Sequence, residues 1–325
     1  MKKKLLLLLQ ILVSIGLLVW LFRRDDLRSQ VAQVLREADP AWLIGGFLAA
    51  GVGNFVGIWR WGIFVKMLHI RLPPWDLIRI GLVGLLFNNF LIGVVGGDAV
   101  KVLWLVARKE KKSAALLSVA MDRMSGVIAL IVVSLSFMLW RLDWLQQSAT
   151  VSRLVHFIFG YLAILLFLLI FSFGIAWNKF TDWLPARLPG RAHLLAFSAS
   201  YRLFLVQWPR TLLGVALSGV GFLTYFFTFY CAARSFGVAV PLSNFFAIMP
   251  TIDLIASLPV SIGGFGVREH LFTVLLGELA AVPPAQAVLI SLAGALLTMV
   301  WGLGGLLAFP TYKRLREAPP TPVLP

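Results

Sequence analysis

The chain reads as an all-α polytopic membrane protein with about six full spans plus two broken, re-entrant helical hairpins in an inverted repeat. Three observations lead there. Of its 325 residues, 60% are hydrophobic and 13% charged, whereas a soluble domain carries about a quarter charged residues. Several apolar runs reach the ~20 residues needed to cross a ~30 Å hydrocarbon core. Two further apolar stretches are interrupted by Gly, Asn and Pro at matching places.

Taken in order, Lys2, Lys3 and Lys4 precede an apolar run over 5–22, and Arg23, Arg24, Asp25 and Asp26 follow it. No small-x-small cleavage site intervenes, so an uncleaved first span is expected. Spans follow at 41–65, 114–140, 154–177, 209–232 and 285–308. The stretch 77–107 breaks from Asn88-Asn89 to Gly96-Gly97-Asp98. The stretch 243–282 breaks from Pro250 through Pro259 to Gly263-Gly264-Phe265-Gly266. Residues 187–206 mix Leu194, Leu195, Phe197 and Tyr201 with Arg191, His193 and Arg202, which suits an interfacial helix or a linker. Residues 1–310 form one transmembrane domain, and 311–325 are expected to be a cytoplasmic, Pro-rich tail.

A net charge of +15 would suggest nucleic acid in a soluble protein. Here the cations sit in short loops between spans, where they orient the chain and meet anionic headgroups, so nucleic acid is excluded as a partner. If both broken stretches return to the side they entered from, most Lys and Arg share the side of Lys2–Lys4. That bias places both termini in the cytoplasm of a bacterial inner membrane. Cys231 is alone, the histidines are far apart in sequence, and neither H-E-x-x-H nor a P-loop occurs; no metal or cofactor is expected.

An internal repeat is the most informative feature. Gly96-Gly97-Asp98-Ala99-Val100-Lys101 and Gly263-Gly264-Phe265-Gly266-Val267-Arg268 share the pattern G-G-x-small-V-basic. The shift that superposes them carries span 41–65 onto 208–232 and span 114–140 onto 281–307. The unit is span, broken hairpin, span, in copies over 41–140 and 208–307. The topology makes the copies inverted, and matched breaks in inverted halves point to a transport site near the midplane. Close helix packing is the other use of such glycines, and Gly53/Gly57 have that spacing.

These residues carry a resemblance. Residues 89–101, the segment Met121-Asp122-Arg123-Met124-Ser125-Gly126, and residues 257–269 resemble motifs of the flippase-like membrane region of lysylphosphatidylglycerol synthases and its stand-alone relatives. The likeness extends over about 5–310. It implies lipid translocation or a related lipid-handling role. The family often has Pro at the place of Ile92, and usually Arg at that of Lys101 and Glu at that of Asp122. A point charge thus replaces a bidentate fork at 101. The large synthases carry a soluble aminoacyl-transfer domain after this region; its chemistry is not expected here.

Charges at membrane depth cost at least ~2.5–3.5 kcal/mol unless paired, facing a cavity or near an interface. Asp98 and Lys101 share a helical face and are candidates for a headgroup site or an interfacial pair. Arg268 and Glu269 hold the corresponding place in the second copy and point apart. Asp122 and Arg123 lie well inside their span, with Asp98 or Asp253 as the expected partner of Arg123. Arg60, between Trp59 and Trp61, is either an interfacial anchor or a headgroup contact. Asn88, Asn89 and Asp253 could serve a headgroup or cap exposed backbone at the breaks. Gly96, Gly97, Gly263 and Gly264 complete the candidate substrate site.

The expected substrate and partner is an anionic membrane lipid. The expected activity is movement of a phosphate-bearing phospholipid or polyprenyl-linked lipid between leaflets, without catalysis. The alternatives are a non-transporting partner of a lipid or envelope biosynthesis enzyme, or an intramembrane lipid-modifying enzyme. The last lacks G-x-S-x-G, since Pro259 stands two before Ser261.

Overall fold

The computed structural model describes residues 25–90, 96–177, 202–258, 261 and 264–317, which are helical with no strand among them. The helices are α1 (Asp25–Arg36), α2 (Pro40–Met67), α3 (Pro74–Phe90), α4 (Gly96–Ala107), α5 (Lys112–Trp140), α6 (Leu142–Leu145), α7 (Ala149–Trp177), α8 (Trp208–Ser235), α9 (Leu242–Ala256), α10 (Val267–Ala280) and α11 (Pro284–Glu317). The first span over 5–22, most of the interfacial segment, Gly263 and residues 318–325 lie outside the described residues.

Among the described residues, five helices are long and apolar enough to cross a membrane: α2, α5, α7, α8 and α11. They match five of the expected spans. The last continues to Glu317, so residues 311–317 of the expected tail are helical. Both broken stretches are helix pairs: α3 and α4 have 17 and 12 residues, α9 and α10 have 15 and 14. At 1.5 Å per residue none of the four spans ~30 Å.

Local chemistry fixes these ends. The Asp39 carboxylate accepts the N–H of Ala41 at 2.9 Å, capping α2, and Pro40 is its first residue. Pro74 and Pro284 likewise open α3 and α11. Helices α2, α4, α8 and α10 are followed by left-handed residues: His69, Lys109, Gly237 and Ala281. After each of them the chain closes a hydrogen bond back onto the helix: Ile70 N–H to Val65 at 3.2 Å, Glu110 to Leu105 at 3.1 Å, Val238 to Ala233 at 2.9 Å, Val282 to Leu276 at 3.2 Å.

The chain forms two compact units, each holding one broken hairpin. One comprises residues 1–53, 132–160 and 222–300, including α9 and α10; the other comprises 54–131, 161–221 and 301–325, including α3 and α4. Each unit draws on both sequence copies. In the α3/α4 unit, Ile58, Trp61, Val65, Ile80, Trp104 and Leu105 form a buried core, and Phe64, Met67, Met121 and Phe204 form a second. Glycine brings backbones together here. A Cβ on Gly97 would strike the Gly84 carbonyl, and one on Gly305 the Leu82 carbonyl. Gly57 has open space where a Cβ would stand, so it serves no such packing contact, contrary to the small-residue reading of its spacing. In the α9/α10 unit the core is aromatic: Phe229 stacks on Phe272 at 5.6 Å, and Phe226 meets Phe246 edge-on.

Candidate functional site

In the α3/α4 unit, three helices bring charges together inside apolar surroundings. Asp122 on α5 is the centre, its side chain only 3% exposed. It accepts from Arg60 Nε on α2 at 2.7 Å and from Lys101 Nζ on α4 at 3.2 Å. Lys101 also approaches Asp98 at 4.0 Å, and Arg123 Nε donates to Asp98 at 2.6 Å. Three cations thus meet two carboxylates, which leaves one surplus positive charge. Exposure rises outward from Asp122: Lys101 and Asp98 are largely covered, while Arg123 is 44% exposed.

Neutral groups hold this network in place. Arg60 Nη1 donates to Ser218 Oγ on α8 at 3.0 Å, and Ser218 contacts Ser125 Oγ at 3.2 Å. The Lys101 ammonium lies 5.1 Å from the ring centre of Trp61. That indole is fully buried and donates to Ser118 Oγ at 3.3 Å. Arg60 is therefore an ion-pair member rather than an interfacial anchor, although its neighbour Trp59 is exposed. At the break, Asn88 Oδ1 accepts the Gly97 N–H at 2.8 Å, so a side chain caps this donor of the α4 N-terminus. Asn89 packs against Gly302 of α11.

The α9/α10 unit treats its charges differently. Glu269 is fully buried; its two oxygens accept from the Gly266 N–H and from Ser291 Oγ, the latter at 2.7 Å. This capping role fixes the start of α10, where Gly264 and Gly266 adopt left-handed backbone. Arg268 points elsewhere, its guanidinium 5.7 Å from the ring centres of both Phe229 and Phe265. Asp253 accepts from Tyr225 Oη at 3.0 Å.

A family model described as the lysylphosphatidylglycerol synthase TM region matches residues 7–305. The chain belongs to this family. No curated protein matches it. For this member of the lysylphosphatidylglycerol synthase TM-region family, the sequence motifs now divide by role. Asp98, Lys101, Asp122, Arg123 and Arg60 form one network; Asn88, Gly97 and Glu269 shape the helix starts; Asp253 and Arg268 belong to the other unit. Sequence reasoning missed Ser218, Tyr225 and Ser291, and gave no role to Ser125. Each is a polar side chain in an apolar helix, and that contrast was the available signal.

Proposed function

We propose that this protein moves an anionic, phosphate-bearing lipid, either a phospholipid or a polyprenyl-linked lipid, between the leaflets of a bacterial inner membrane. The lipid leaves chemically unchanged. The observation carrying this reading is the surplus positive charge gathered around Asp122 by α2, α4 and α5. A cation held among apolar helices is costly, and an anionic headgroup offsets that cost. The exposure gradient favours the same reading, since the covered Asp122 carboxylate is paired with cations more exposed than it is.

Membership of the family supports a lipid-related role. The span–hairpin–span order, present twice, supports transport by inverted halves that rock to expose the site alternately. In this reading the termini are cytoplasmic and acyl or isoprenoid tails stay in lipid while the headgroup crosses. Lys101 and Arg268 contact the headgroup at successive stages.

The test uses purified protein in vesicles containing headgroup-labelled phosphatidylglycerol. Lys101→Ala and Arg268→Ala are each expected to slow translocation about tenfold or more, the worth of one charge-assisted hydrogen bond. Lys101→Ala remains folded and inserted, because Asp122 keeps Arg60, and a thermal melt checks the same for Arg268→Ala. Wild-type rates in both reject the assignment. A change in lipid mass on incubation rejects the non-catalytic part.

A further inference from the structure

Arg60 has more donors than its partners use. A guanidinium carries five N–H groups in a planar fork. Nε–H goes to Asp122 at 2.7 Å, and one N–H of Nη1 goes to Ser218 Oγ at 3.0 Å. Ser218 is itself held, its Oγ lying 2.9 Å from the Gly214 carbonyl. Nη2 donates to no group among the described residues, yet it is not one of the sealed-off atoms of the interior, and 19% of the Arg60 side chain is exposed. Asp122 and Ser218 thus aim the guanidinium and leave Nη2 open. Lys101 is engaged differently, between Asp122 at 3.2 Å, Asp98 at 4.0 Å and the Trp61 ring. The directional fork that position 101 lacks is present at position 60.

Charge sets a second condition. Among the described residues the network sets Arg60, Lys101 and Arg123 against Asp98 and Asp122, a surplus of one positive charge. Among apolar helices an imbalance of either sign is expensive, because Coulomb energies grow as the dielectric falls. A ligand bringing one negative charge neutralises the cluster, and a ligand bringing two overshoots. A phosphodiester has a single ionised oxygen. A phosphomonoester carries about −1.5 to −2 near pH 7, and a diphosphate carries more.

Resting on the transport reading above, we propose that the Asp122 cluster selects a phosphodiester headgroup over phosphomonoester and diphosphate carriers, and that Arg60 donates to that diester through Nη2. Of the two lipid classes left open above, this chooses the phospholipid and rejects polyprenyl phosphates. The two non-bridging oxygens of a diester match the planar donors of a guanidinium, while the Lys101 ammonium supplies charge beside them. Arg60 reads the phosphate, and Asp98 sets how much negative charge the cluster accepts. Asp98 is the more accessible of the two carboxylates, 16% exposed against 3% for Asp122. Its partner Arg123 is 44% exposed, so neutralising Asp98 strands no buried cation there.

The experiment uses the full chain in nanodiscs at about pH 8, where a phosphomonoester is doubly ionised. Native mass spectrometry reads the lipid retained. The probes are dioleoyl phosphatidylmethanol and dioleoyl phosphatidate, which share their tails and differ by one methyl ester, with a polyprenyl phosphate as the third. The wild type is expected to retain the diester about tenfold better than either monoester. Asp98→Asn raises the surplus to two and should move the preference toward phosphatidate about tenfold. Arg123→Gln lowers the surplus to zero and should weaken retention of all three. Arg60→Lys keeps the charge, removes the fork and should weaken diester retention about tenfold. A thermal melt establishes that each variant is folded. Equal retention of diester and monoester by the wild type, retention of neither, or an unchanged ratio in folded Asp98→Asn overturns the selectivity; undiminished diester retention in Arg60→Lys overturns the role of Arg60. Headgroup movement is measured separately. Retention of the diester without movement rejects transport and leaves the selectivity standing, whereas movement with equal retention does the reverse.

Discussion

Asp122 takes Arg60 at 2.7 Å and Lys101 at 3.2 Å while almost wholly covered, so it cannot be removed in isolation. Asp122→Ala strands two cations in an apolar setting, and breaking a buried pair this way costs about 3–5 kcal/mol. Thermal unfolding in detergent should register that loss, whereas Lys101→Ala, which leaves the Arg60 pair intact, should unfold close to the wild type. Glu269→Ala removes acceptors from the Gly266 N–H and Ser291 and should cost about 1–3 kcal/mol per unsatisfied donor. Some of this pairing was legible from the residues. Arg123 does pair with Asp98, one of its two expected partners, and Arg268 and Glu269 do diverge. The Arg60–Asp122 bond was not legible, because 62 residues separate the partners and only the packing of α2 against α5 joins them. Flanking tryptophans pointed to a headgroup belt instead, and nothing in the pattern distinguished the exposed Trp59 from the buried Trp61.

Helix α4 starts so close to α3 that the Gly97 position leaves no room for a methyl group beside the Gly84 carbonyl and Asn88. Gly97→Ala should therefore cost about 1–3 kcal/mol through overpacking. Gly57→Ala, with open space around it, should be neutral or slightly stabilising because alanine favours helix. Comparing the two melting temperatures checks both statements. The elements themselves were largely readable. Apolar runs located five spans to within a few residues, because a helix crossing lipid has few ways to disguise its composition. The breaks were readable from Asn, Pro and paired Gly. Which glycine is a packing contact was not, since that depends on the facing element: Gly57 has the favoured spacing yet meets nothing, while Gly305 meets the Leu82 carbonyl.

For the whole molecule, the repeated order of long helix, short pair, long helix emerged from one six-residue likeness and the shift it implied. The division into compact units did not, because it cuts across both copies and separates Arg268 from Lys101. The proposed orientation makes a prediction of its own. Cys231 is the only cysteine and is buried, so introduced cysteines report accessibility cleanly. With the termini in the cytoplasm, Gln147→Cys should react with an impermeant maleimide in intact spheroplasts, and Arg71→Cys only after permeabilisation. The reverse pattern would invert the topology.

Asp122 sits where dissolved ions have little reach, since all but 3% of its side chain is covered. The Debye length in ~0.1 M electrolyte is ~10 Å, but that attenuation operates through solvent, and shielded pairs feel little of it. Loosely attracted lipid around peripheral arginines should wash off as sodium chloride rises. A phosphate captured beside Lys101 should persist. Ionic strength thus becomes a means of telling the interior lipid from the annular shell.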